Sequence, residues 1–124
     1  MSTQVTHYLG IGYQVDYDEN IDKVDAFLDA HPEYSEYSFQ NPNADKPGLQ
    51  IITDGMNGDY IYIMYVLHKA DQEDMYCYSG STEISLSSIR SESHASVLVR
   101  DLFNSVMSYD PEMDLYLVSF FHCT

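Results

Sequence analysis

The stretch YIYIMYVLHKA, residues 60–70, alternates with period two and carries apolar residues on both sides. Ile61, Ile63, Tyr65 and Leu67 share one side of such a strand, and Tyr60, Tyr62, Met64 and Val66 share the other. A helix would scatter both sets, so the chain must build a sheet around this segment. A second alternating run, QVTHYLGIGYQV (residues 4–15), sets Leu9, Ile11, Tyr13 and Val15 against Gly10, Gly12 and Gln14. The two glycines strip one face of that strand, which predicts close packing against it. Shorter strand patterns follow at 48–53, 75–86 and 115–123. The run at 75–86 reads as the hairpin partner of residues 60–70, across the turn DQED.

Two segments change to helical spacing. Ile21, Val24, Phe27 and Leu28 form an apolar stripe on a helix from about Ile21 to Ala30, capped by Asp18 or Asn20 and ended by Pro32. Ala95, Leu98, Leu102 and Val106, widened by Val99 and Phe103, mark a second helix from Glu92 to Met107 with Ser91 as its cap. Residues 32–48, with Pro42 and Pro47, read as a polar loop, and DGMNGD (54–59) as a turn. The order β-α-β-β-β-α-β predicts an α+β fold: a mostly antiparallel four- to five-stranded sheet with two helices on one face. Residues 1–124 make a single domain, and 44% hydrophobic residues suffice for its core. If the helices cover the aliphatic side of the hairpin, Tyr60, Tyr62, Tyr76 and Tyr78 face outward, where an apolar body with a polar tip suits a half-wet surface.

Charge then limits what the surface can bind. Residues 16–36, DYDENIDKVDAFLDAHPEYSE, hold eight carboxylates and one lysine. Asp22, Asp25 and Asp29 fall on one helix face, opposite the apolar stripe. Asp18 and Glu19 lie near the helix start, where negative charge is favourable, and Glu33 and Glu36 follow the helix. A helix designed for stability alone would interleave lysines four residues on, and this one does not. The simplest account is a solvated face. The whole chain, however, carries 20 acidic against five basic residues, a formal charge of −15. That balance repels nucleic acid and anionic membrane and attracts a basic protein.

Nothing in the chain carries a recognisable reaction. Five histidines occur without CxxC or HxxxH spacing, so no metal site or cofactor is expected. GIG (10–12) lacks the third glycine and the basic residues of a phosphate loop. Ser79 and Ser81 do not sit in GxSxG, and the acidic run lacks the glycine and the closing glutamate of a calcium loop. Residues 1–15 show no basic start with a long apolar run, and Ile61–Leu67 is too short to span a bilayer. With Cys77 and Cys123 read as reduced thiols, the expectation is a cytoplasmic protein that is not an enzyme.

In charge and size the chain resembles nucleic-acid-mimicking inhibitors: phage anti-restriction proteins, anti-CRISPR proteins and uracil-DNA glycosylase inhibitors. It is also similar to immunity proteins that neutralise basic toxin nucleases. The resemblance implies a small inhibitor that occludes a basic nucleic-acid-binding effector or nuclease, with carboxylates standing where phosphates would. The expected contact residues are Asp18, Glu19, Asp22, Asp25, Asp29, Glu33 and Glu36, with Tyr60, Tyr62, Tyr76 and Tyr78 as the apolar component. Self-association into a homodimer is a second use for the tyrosine side. The alternatives are an immunity protein, and a small enzyme or ligand-binding domain without a recognisable motif.

Overall fold

The computed structural model describes residues 5–71, 92–112 and 114–123. Four strands, β1 (Val5–Val15), β2 (Gly48–Thr53), β3 (Ile61–Asp71) and β4 (Tyr116–Cys123), form one sheet in the spatial order β2-β3-β1-β4. Every neighbouring pair is antiparallel. Helices α1 (Tyr17–Ala30) and α2 (Glu92–Met107) pack on one face of it, which makes the fold α+β. The expected strand at 75–86 lies outside the described residues.

Helix α1 begins one turn earlier than the sequence reading placed it. Asp16, in extended conformation, is its cap, and its Oδ2 accepts from the Glu19 amide at 2.9 Å. A carboxylate that reaches the third amide of the first turn satisfies a donor the helix cannot. The helix stops at His31, where Pro32 starts a 3-10 turn, Pro32–Tyr34. Val24 is fully buried, and Ile21, Phe27 and Leu28 pack beside it. Helix α2 buries Ala95, Val99, Leu102, Phe103, Val106 and Met107. The main core lies between these stripes and the sheet residues Tyr13, Val15, Ile51, Ile61 and Ile63. The aliphatic side of β3 therefore faces the helices, as its alternation predicts.

The other side of the sheet, where Tyr60 and Tyr62 lie away from the helices, is partly covered as well. Tyr8, Ile52, Met64 and Val66 are each at most 2% exposed there. Tyr60 and Tyr62 are half-buried against Val118 and Phe120, and Tyr76 and Tyr78 lie outside the described residues. Two features close this face. First, the Tyr62 ring on β3 stacks on Phe120 of β4 at 4.2 Å between centroids, although β1 runs between those strands. Only a strand stripped of side chains permits that. Gly10 and Gly12 supply the gap: a Cβ on Gly12 would come within 2.5 Å of the Met64 Cβ. The sheet thus curls around its glycine strip. Second, the segment after the 3-10 turn folds back over the face. Ser35 bridges to Ile51 beside β2, Asn41 Nδ2 donates to the Ser35 carbonyl at 3.0 Å, and Gln50 Nε2 donates to the Ala44 carbonyl at 2.7 Å. Residues read as a polar loop therefore bury Ser35, Glu36, Asn41 and Ala44.

Tyr62→Ala is accordingly expected to lower stability by roughly 2 kcal/mol, from lost ring burial and stacking. Urea denaturation measures this, and a midpoint unchanged from wild type would restore the exposed-tyrosine account.

Candidate protein-binding surface

The carboxylates of α1 stand where the sequence puts them. Asp18, Glu19, Asp22, Asp25 and Asp29 are all exposed, as is Glu33 beyond the helix end. Among the described residues none of the five on α1 has a basic group within ion-pair distance. Glu33 has His31 Nδ1 at 3.4 Å. Neighbours on one helix face lie ~5–6 Å apart between Cβ atoms. At that range in water a like-charge pair costs about 0.7 kcal/mol. The row is mildly self-repelling, and the main core gains nothing from it.

Beside this row the structure places an aromatic pair that the sequence reading passed over. Tyr37 and Phe39 stack at 5.5 Å between centroids, with Phe39 80% exposed. The turn holding them is built locally: Ser35 Oγ accepts from the Tyr37 amide and donates to Gln40 Oε1, and the Asn41 amide donates to the Tyr37 carbonyl. Asp25 and Asp29 from α1, and Tyr37 and Gln40 from this turn, line one cleft of about 280 Å³ over Leu28 and Ile51. The neighbouring Pro42 and polar residues made this stretch read as an ordinary loop. Two aromatic residues two apart, outside any strand, were the signal available.

Glu36 also lines this cleft but is largely buried. It is 6% exposed and turns inward, with Oε2 2.9 Å from Nε2 of His122 on β4, which is 1% exposed. The distance fits a charge contact. The alignment does not fit a hydrogen bond, since neither Glu36 oxygen nor His122 Nε2 has an aligned partner. On the other side of the ring, His122 Nδ1 lies 2.7 Å from the Tyr60 hydroxyl. Burial, and then the nearby Asp54 carboxylate, push the Tyr60 hydroxyl above its ordinary range. The ring's tautomer sets which of the two groups donates in that hydrogen bond. Burial first, then the Glu36 carboxylate, push the adjacent Tyr37 hydroxyl up to about 12. Tyr60 is thus held to His122 by its hydroxyl and is half-buried.

The site residues divide accordingly. Asp18, Glu19, Asp22, Asp25, Asp29 and Glu33 are exposed, Tyr60 and Tyr62 are half-buried, and Glu36 is buried. Among the described residues no group of three His, Cys, Asp or Glu side chains could hold a metal ion, and no helix is long and apolar enough to cross a membrane. No protein-family model, curated protein or solved structure matches the chain.

Proposed function

We propose that the chain is a non-enzymatic inhibitor that binds a basic nucleic-acid-handling protein and blocks its nucleic-acid path. The supporting observation is the shared cleft, in which Asp25 and Asp29 stand unneutralised beside Tyr37, with Phe39 stacked on it. Nucleic acid presents anionic groups next to flat rings, and proteins meet it with basic side chains and stacking surfaces. Carboxylates beside exposed aromatic rings offer the same two contacts. In this reading Tyr37 and Phe39 supply the rings, and the −15 charge accelerates encounter. A cytoplasmic setting belongs to the same proposal.

The test is an affinity capture from the native source at low salt, with the bound fraction released by rising salt. Recovery of a restriction or CRISPR effector, or of another basic nucleic-acid enzyme, supports the reading. A toxin nuclease supports the immunity variant of it. With that partner in hand, the triple variant Asp22→Asn/Asp25→Asn/Asp29→Asn is expected to associate at least tenfold more slowly at low ionic strength, with the difference shrinking as salt screens it. Its fold should be retained, since all three side chains are exposed. Unchanged association kinetics across salt would reduce the row to a solvated face.

A further inference from the structure

We infer that β4 is a dimerisation strand, pairing through its outer edge with β4 of a second copy of the chain. In the order β2-β3-β1-β4 it is an edge strand, and among the described residues no backbone hydrogen bond reaches its outer side. Edge strands are ordinarily protected by a charged residue, a proline or a bulge. Tyr116–Cys123, YLVSFFHC, contains no Asp, Glu, Lys, Arg or Pro, and its register with β1 runs without interruption. The opposite edge, β2, is different, since Ser35 bridges to it.

The side chains support the same use. Among the described residues the main core reaches β2, β3 and β1 but takes no residue of β4. Leu117 and Phe121 on the helix side of that strand are 61% and 63% exposed, and Tyr116 on the other side is 60% exposed. His7 of β1 lies under this patch, 2.8 Å from the Ser119 hydroxyl and 5.1 Å from the Phe121 ring centre. Burial, and secondarily His68, hold the His7 pKa below its ordinary value, so the strip is uncharged at neutral pH.

A second copy is the occupant that fits. Two bodies of charge −15 repel, and they can meet only where neither presents carboxylates. A basic foreign partner would instead be drawn to α1. The exposed residues Leu117, Ser119 and Phe121 are also symmetric about Ser119. An antiparallel twofold pairing centred there sets Leu117 of each copy opposite Phe121 of the other, twice, with the two Ser119 residues facing. The product is a continuous sheet of twice the width.

Sedimentation velocity on the full chain, with hydrogen exchange of residues 116–123, tests the pairing. The wild-type chain is expected to dimerise in the micromolar range, more tightly as salt screens the mutual repulsion. Binding of the basic partner under the proposed function weakens with salt, so the two readings fail separately. Leu117→Glu and Phe121→Glu, each placing a carboxylate on an exposed apolar site, should each raise the dimer dissociation constant at least about tenfold. Leu117→Lys/Phe121→Glu in one chain, which sets opposite charges across the pair, should restore it. Amide exchange in β4 should speed up on dilution of the wild type, a readout that needs no variant. A monomer at every concentration overturns the inference. So does a dimer indifferent to both single substitutions, or β4 protection indifferent to dilution, which would mean an occupant from within the chain.

Discussion

His122→Ala is expected to cost on the order of 3–5 kcal/mol of stability, since it truncates a fully buried ring and removes the neighbour of a buried acid. The side chains of His122 and Glu36 are 1% and 4% exposed, so the carboxylate left behind has no water to turn to. Tyr60 loses its hydroxyl partner in the same step. The informative comparison is the double variant Glu36→Leu/His122→Leu. It removes the stranded charge with the ring, and its loss should be smaller than that of His122→Ala alone, because an apolar pair of similar volume replaces both polar groups. Urea denaturation of the three chains measures the difference. A single variant within about 1 kcal/mol of wild type would mean that Glu36 reaches solvent once the ring is gone.

Gly12→Ala is the second large effect, expected at about 3 kcal/mol or more, the upper end for overpacking a well-filled core. The added methyl would meet the Met64 Cβ at 2.5 Å and the Ile63 carbonyl at 2.6 Å. Neither is the free end of a flexible side chain, so β1 and β3 must separate to admit it. The control is Gly55→Ala, where a Cβ meets nothing within 4 Å. That substitution should change stability by no more than about 0.5 kcal/mol. Thermal melts of the two variants side by side decide the matter, and equal melting points would refute the curled-sheet account.

What the sequence disclosed was local. Helix α2 spans Glu92–Met107 and β2 spans Gly48–Thr53, the bounds that period and turn residues alone predicted. The aliphatic side of β3 could be assigned to the helices because Ile61 and Ile63 carry no hydroxyl to satisfy. The cap of α1 was misplaced, because Asp16, Asp18 and Asn20 are all competent caps and nothing local ranks them. The partial cover over the tyrosine side was not legible, for a different reason. Its cover comes from Phe120 on β4 and from the segment 35–44, both remote from the hairpin in sequence. The two glycines signalled close packing, and the neighbour they admit is Met64, with Tyr62 and Phe120 meeting across the same strip. In the acidic row the helix period sufficed for Asp22, Asp25 and Asp29. It did not extend to Glu36, six residues past the last helical turn's Ala30, whose direction is set by a histidine on the far strand.

The position of β1 between β3 and β4 has a consequence for how the molecule is made. The contact of His7 with Ser119 spans 112 residues of chain. At ordinary translation rates that separation is roughly 5–20 s of synthesis. Throughout that interval the Tyr8 and glycine side of β1 has no β4 to cover it, and one edge of the strand is open. Long-range pairing of this kind also sets a slow folding clock. The sixteen or so residues that follow β1 supply most of a turn-by-turn acidic coat early in synthesis, ahead of either of its strand partners. Like charge on those residues opposes contact between neighbouring emerging chains while β1 waits for its last strand.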